Sequence, residues 1–484
     1  MPLPPFPFDN SYARLPESFH QPAKPAQAPD PELIRFNSPL AEELGIEVNE
    51  SDEHELASVF SGNSLPENAE PIALAYAGHQ FGNFVPQLGD GRAILIGEVI
   101  DQCQKRRDIQ LKGAGRTGFS RGGDGRAPIG PVIREYIVSE AMHALGIPTT
   151  RALAAVTTGS TVMREGPEPG AILTRVAASH IRVGTFEYFA YRQDTEAIRT
   201  LADYAIARHY PSVMFEDQPY QSLLRAVAEQ QAELIADWMS VGFIHGVMNT
   251  DNMAISGETV DYGPCAFMDH YHADTVFSSI DARGRYAYAN QAEIGYWNLA
   301  RFAESLLPLF DGSKDEAIET AKTLLGAYRE HYNAAWRQRF GRKIGVSNLT
   351  PENESVVHDL LALMQRNGSD FTETFREMTR ITQMDSPQKA AASLFGNTDD
   401  AQQWSSCWIG MLDSPDVMWE ANPAVIPRNH QVEAAISAAQ QGDLRRFHSL
   451  MAALKAPFSA DADNSDYRSP PAPQERVPRT FCGT

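Results

Sequence analysis

His245-Gly246-Val247-Met248-Asn249-Thr250-Asp251-Asn252 follows the clearest long helical pattern of the chain, Ser222 to Val241, and precedes Asp261-Tyr262-Gly263. Between these two polar clusters, Met253 to Ser256 and Thr259 to Val260 read as short strands around Gly257-Glu258, a hairpin-sized turn. Asn252 and Asp261 carry hard oxygen ligands, which suit Mg²⁺ or Mn²⁺ bridging phosphate groups. An Asn and an Asp in separate turns also serve as plain turn residues. Their chemical meaning therefore depends on what lies upstream.

Upstream, Gln87-Leu88-Gly89-Asp90-Gly91-Arg92-Ala93 runs into a β-like stretch, Ala93 to Val99, and Gln110-Leu111-Lys112-Gly113 closes another, Asp108 to Leu111. Glycines between strands let backbone amides approach phosphate oxygens, and a strand lysine adds a point charge to the same anion. Taken alone, Gly-Asp-Gly is equally a turn that needs positive φ. A helix is expected from Pro131 to Leu145, with proline in its first turn and Gly146 to end it. Glu135 in its first turns could hold the Lys112 ammonium. Between them, Gly113 to Arg126 is rich in glycine and arginine and reads as a long, flexible, cationic loop that closes over a nucleotide.

Strand lysine, helix glutamate and an asparagine seven residues after a histidine reproduce the spacing of protein kinases, with Asp261-Tyr262-Gly263 standing where they have DFG. One departure matters. Two residues after the histidine, where kinases carry the catalytic aspartate, stands Val247, which cannot accept a proton; the nearest carboxylate is Asp251. Strands at Ala152 to Thr157 and Ala171 to Val176 complete a sheet-rich half, and helical periodicity dominates beyond Glu196. The expected fold class is α+β: a two-lobed protein-kinase-like fold with a sheet-rich N-lobe, a helical C-lobe and a helical C-terminal extension. The expected division is a wrapping segment 1–72, an N-lobe 73–190, a C-lobe 191–400 and an extension and tail 401–484.

Composition excludes several classes. The 41 basic residues against 62 acidic ones give a net charge of −21, which disfavours sequence-independent binding of nucleic acid. No run of about 18 apolar residues occurs, and the amino terminus lacks a basic, then apolar, leader pattern, so neither membrane insertion nor export is expected and a cytoplasmic location is. Four widely spaced cysteines without a CxxC pair argue against a zinc site or a disulfide framework. The first 31 residues hold nine of the 32 prolines and should run extended over the surface, pinned by Phe6, Phe8 and Tyr12.

The residues quoted above, with Phe8 to Pro16, Tyr76-Ala77-Gly78-His79-Gln80-Phe81-Gly82, Arg134-Glu135-Tyr136, and Asn422-Pro423 through His430, closely resemble the SelO (YdiU) family of kinase-fold protein adenylyltransferases over nearly the whole chain. The resemblance implies that ATP binds in an orientation flipped relative to kinases and that AMP, or UMP from UTP, passes to Ser, Thr or Tyr hydroxyls of proteins. It implies Lys112 on phosphate and paired with Glu135, Asn252 and Asp261 on Mg²⁺ or Mn²⁺, and Asp251 as proton acceptor. Gly89, Gly91, Arg92, Lys112, Asp124, Gly125, Arg175, Arg182 and Asp261 would contact the nucleotide. On sequence alone Arg175 and Arg182 read as solvated surface arginines. A monomer is expected, with ATP or UTP and protein substrates as its partners.

Two alternatives remain open: a conventional kinase transferring the γ-phosphoryl group, which Val247 disfavours, and a catalytically inactive nucleotide-binding scaffold, which the intact Lys112, Asn252 and Asp261 set disfavours. Cys482 occupies the near-terminal position where some family members carry selenocysteine, which implies a redox role by resemblance; a plain thiol on a tail is the other reading. Asp269-His270-Tyr271-His272 is read as structural, and Cys407, between Trp404 and Trp408, as core packing.

Overall fold

The computed structural model describes residues 6–47 and 52–481. The strands are β1 (His20–Pro22), β2 (Leu33–Phe36), β3 (Ile72–Leu74), β4 (Gly78–Gln80), β5 (Asn83–Val85), β6 (Ala93–Ile100), β7 (Arg106–Lys112), β8 (Ala127–Pro128), β9 (Arg151–Met163) and β10 (Pro167–Ala177). The main sheet is ordered β1-β3-β6-β7-β10-β9-β2 and antiparallel throughout, with β8 added on β10; β4 and β5 form a separate hairpin. Buried Ile94, Ile96, Ile109, Leu111, Leu153 and Val156 form the core on one side of this sheet, under Phe6 and the short helices α1 (Ser38–Glu43) and α2 (Glu53–Phe60). Long β9 and β10 need no crossover, because a tight turn suffices for antiparallel neighbours.

Helix α3 (Ile129–Ala144) crosses the other face of the sheet and ends at Gly146, where φ is +79°. Val132, Ile133, Tyr136 and Ile137 bury against Ala155 and Leu173 of the sheet and against Val432, Ile436, Phe447 and Leu450 from the C-terminal helices Asn429–Ala439 and Arg445–Leu454. Burying each such side chain stabilises by about 1.5–3 kcal/mol, so α3 is clamped from both sides. Arg134 reinforces the clamp by donating to Asn429 Oδ1 at 3.1 Å and to the Cys265 carbonyl at 3.3 Å.

At Ala177 the sheet ends, and residues 178–182 lead into α4 (Val183–Tyr191). The helical half continues with α5 (Thr195–His209), α6 (Pro219–Ser240), α7 (Gln291–Leu306) and the long α8 (Lys314–Ile344), then further helices to Leu454. Sheet-rich beginning and helical remainder make this a mixed α+β, kinase-like bilobal fold. Among the described residues no helix is long and apolar enough to cross a membrane.

Three local expectations meet the structure differently. Met253–Ser256 and Thr259–Val260 do not pair with each other: Ala254 bridges Arg182 and Thr259 bridges Thr149, so the turn at Gly257 sends each run to a separate partner. Cys407 is exposed; Trp404 and Trp408 stack at 5.5 Å on the buried face of their helix, and Cys407, about 100° before Trp408, falls outside it. The amino-terminal stretch is indeed pinned by buried Phe6 and Tyr12, yet it forms short 3₁₀ turns at Tyr12–Arg14 and Glu17–Phe19. The Asp269 carboxylate is held by buried Arg428 at 2.6 Å, a structural ion pair.

Candidate active site

Between the two halves lies a cleft of about 560 Å³ whose walls include Gly89, Gly91, Arg92, Lys112, Asp124, Gly125, Arg175, Arg182, Asp251, Asn252 and Asp261. Lys112, the last residue of β7, pairs with Ala93 of β6 and Leu173 of β10, which fixes its backbone at the cleft edge of the sheet. Its Nζ donates to Glu135 Oε2 at 2.6 Å and to Asp261 Oδ1 at 2.8 Å. Asp261 sits at φ +65°, a left-handed conformation that a non-glycine residue holds only when its surroundings over-determine it.

Those surroundings are cationic. Arg175 donates to Asp261 Oδ1 at 2.7 Å and Glu135 Oε1 at 3.3 Å, and Arg182 to Asp261 Oδ2 at 3.2 Å. Burial pushes the Asp261 carboxyl upward, but Lys112, Arg175 and Arg182 together hold it well below the usual carboxylate range. Both arginines are fully buried, 2% and 1% exposed, which overturns the surface reading from sequence. Their burial is tolerated because each has partners from distant segments: Gln110 Oε1 accepts from Arg175, while Arg182 reaches Asp90 at 3.5 Å and lies 4.5 Å over the Tyr76 ring.

Val247, Asn249, Asp251 and Asn252, from the segment after His245, line the same cleft. Asn252 donates its amide N–H to the Val247 carbonyl at 2.9 Å, which leaves its Oδ1 as an acceptor. Asp251 accepts at Oδ2 from Gln80 at 3.3 Å, while its Oδ1 is buried without a partner. Burial raises its pKa to about 6. His245 is fully buried, which lowers its pKa, and its Nε2 donates to the Val260 carbonyl at 3.0 Å, joining this loop to the segment just before Asp261.

The loop 113–126, expected to be flexible, is tied down over the Gly89–Gly91 turn. Thr117 donates to the Asp90 carbonyl at 2.6 Å and Ser120 to the Gly91 carbonyl. Gly89 has φ +70°, and a β-carbon there would meet the Phe119 ring at 2.3 Å. Asp124 does not reach into this network; Arg164 grips both of its oxygens at 3.0 Å and, with the Arg126 amide, brings its pKa down to about 2. Cys482 lies outside the described residues.

Direct contact thus unites Lys112, Glu135, Arg175, Arg182 and Asp261; Asp251, Asn252, Gly89, Gly91, Arg92, Asp124 and Gly125 share the cleft. Sequence reading missed Asp90, Gln110, Arg164, Tyr76 and Gln80. A signal existed for two of them: Tyr76 and Gln80 lie in the Tyr76–Gly82 string, polar residues among glycines without a helical or strand period.

The sequence profile of the family described as "Protein adenylyltransferase SelO" matches residues 4–455. The chain belongs to the SelO family. Members of high similarity include the protein nucleotidyltransferase YdiU of Rhizobium etli (strain CIAT 652), 54% identical over 99% of this chain and 97% of the relative. That of Rhizobium meliloti is 55% identical over 99% of both chains, and that of Nitrobacter hamburgensis 53% over 99% and 97%. As a SelO protein the chain is an enzyme of the nucleotidyltransferase class. The hard-oxygen pair Asn252 and Asp261, both lining the cleft and free of His and Cys, fits a divalent cation of the Mg²⁺ type that completes its shell on phosphates.

Proposed function

We propose that this SelO protein transfers AMP from ATP, and UMP from UTP, to Ser, Thr or Tyr hydroxyls of proteins, with the nucleotide flipped relative to kinases. The observation that carries this is the pair of buried arginines, Arg175 and Arg182, beside the connection between the two halves. An adenine ring favours apolar walls there, whereas two guanidiniums and Lys112 favour a polyphosphate. Arg182 Nε is buried and unpartnered, a donor in reserve. With its β- and γ-phosphates directed to these cations, the nucleotide presents its α-phosphorus toward the catalytic loop.

The acceptor oxygen bonds to the α-phosphorus, the bond from that phosphorus to the bridging oxygen breaks, and pyrophosphate leaves with the electron pair. Asp251 accepts the hydroxyl proton; a pKa near 6 keeps it largely ionised at neutral pH yet basic enough to serve. Lys112, Arg175 and Arg182 stabilise the charge that grows on the departing pyrophosphate. Asn252 and Asp261 would hold Mg²⁺ or Mn²⁺, which supplies charge neutralisation on the phosphates.

The test is peptide and intact mass spectrometry of a generic protein substrate after incubation with enzyme, ATP and Mg²⁺ or Mn²⁺. Addition of AMP is expected. Addition of phosphate alone would return the chain to the kinases, and ATP binding without any addition would make it a scaffold.

A further inference from the structure

Residues 76–82 wrap the catalytic loop almost residue by residue. Tyr76 lies under Arg182, and the Ala77 amide donates to the Gly184 carbonyl at 2.9 Å. Gly78 abuts Asp251 so closely that a β-carbon would lie 2.4 Å from Asp251 Oδ1. The His79 amide donates to Thr250 Oγ1 at 2.7 Å, and the Phe81 amide to Asn249 Oδ1 at 3.1 Å with φ at +51°. Between them, Gln80 Nε2 donates to Asp251 Oδ2. An ionised carboxylate only accepts, so the amide nitrogen must be the atom that faces it.

The hairpin carrying Gln80 is itself anchored. His79 Nδ1 meets Glu187 Oε1 at 2.5 Å, and the other Glu187 oxygen accepts from Thr250, the residue before Asp251. The His79 ring packs on Phe84 and edge-on against Trp297. Gln80 is therefore presented to Asp251 by a braced strand, and among the described residues it is the side-chain donor to the Asp251 carboxylate.

We propose that Gln80 is a positioning residue for transfer: through its bond to Oδ2 it fixes the rotation of the Asp251 carboxylate that takes the acceptor proton. This rests on the reading of Asp251 as the base. A base aimed by a third group is the recurrent geometry of activated nucleophiles. Gln80 touches no reacting atom and acts only through Asp251.

A double-mutant cycle tests it. Gln80→Met keeps length and volume while removing the donor; Gln80 is half-buried, and melting curves confirm folding, with Gln80→Ala as the second variant. In single-turnover transfer with excess enzyme, Gln80→Met should lower the rate about tenfold or more, with the ATP concentration for half-saturation within about twofold of wild type. In an Asp251→Asn background the same change should cost less than about twofold further, because the group it positions no longer accepts a proton. An unchanged rate in Gln80→Met, or an equal loss in both backgrounds, overturns the proposal. A wild-type rate in Asp251→Asn overturns the base assignment and the proposal together, whereas the identity of the transferred group is decided separately by its mass.

Discussion

Lys112 Nζ lies 2.8 Å from Asp261 Oδ1, a contact across 149 residues that joins the sheet edge to the turn after the catalytic loop. Lys112→Met breaks this contact and the one to Glu135 and removes a positive charge from the cleft. Transfer should fall by about 10²-fold or more, since a charged donor in a closed site acts on the transition state. Rates of AMP incorporation read it; an active Lys112→Met would remove the kinase-like assignment of the site.

Asp261→Ala has a second, purely structural consequence. It leaves Lys112, Arg175 and Arg182 facing one another around the lost carboxylate. Breaking such a buried arrangement from one side should destabilise by roughly 3 kcal/mol. Urea unfolding should show a lower midpoint, and tripolyphosphate should recover more stability in the variant than in wild type.

Chelation with EDTA should abolish transfer, and Asn252→Ala should raise the Mg²⁺ concentration needed for half-maximal rate by about tenfold, one lost oxygen ligand being worth that order. A titration of Mg²⁺ and Mn²⁺ against rate checks both. An Asn252→Ala enzyme with an unshifted midpoint would exclude this residue as a ligand.

Gly78→Ala should be more damaging than its position in a short hairpin suggests. The new methyl group would displace the Asp251 carboxylate, and overpacking of this kind costs about 1–3 kcal/mol. The expected signature is a loss of transfer rate exceeding the loss of ATP affinity, measured by single-turnover kinetics and calorimetry.

Far from the cleft, Lys343 is buried at the end of α8, with Asn422 Oδ1 at 2.9 Å and the Phe375 ring at 4.2 Å and no acidic partner among the described residues. Burial brings its pKa down to about 7. Between that value and the ordinary lysine value the unfolded chain holds a proton that the folded chain lacks, so stability rises with pH across this window. Lys343→Met should therefore be more stabilising relative to wild type at pH 7 than at pH 9, read as the difference in Tm at the two pH values.

Helix α3, strands β6, β7, β9 and β10, and the long α6 were legible because their apolar periods are local properties of the chain. The failures have equally local causes. Met253–Ser256 and Thr259–Val260 carry strand character and flank a glycine turn, but neighbours at Arg182 and Thr149 outcompete pairing with each other. Cys407 between two tryptophans looks buried in a linear string and is exposed because a helix turns it off their face.

The sequence by itself determined the chemical inventory: a strand lysine, a helix glutamate, Asn252 and Asp261 at set spacings, Val247 where a base would stand, and membership of the SelO family through motifs spread over the chain. Only the tertiary structure decided that Arg175 and Arg182 are buried on the same carboxylate as Lys112, and that Gln80 holds Asp251 across 171 residues. The physical reason is that spacing encodes backbone geometry, which is local, whereas a charge leaves water only where remote segments converge to pair with it, and no linear pattern records that convergence.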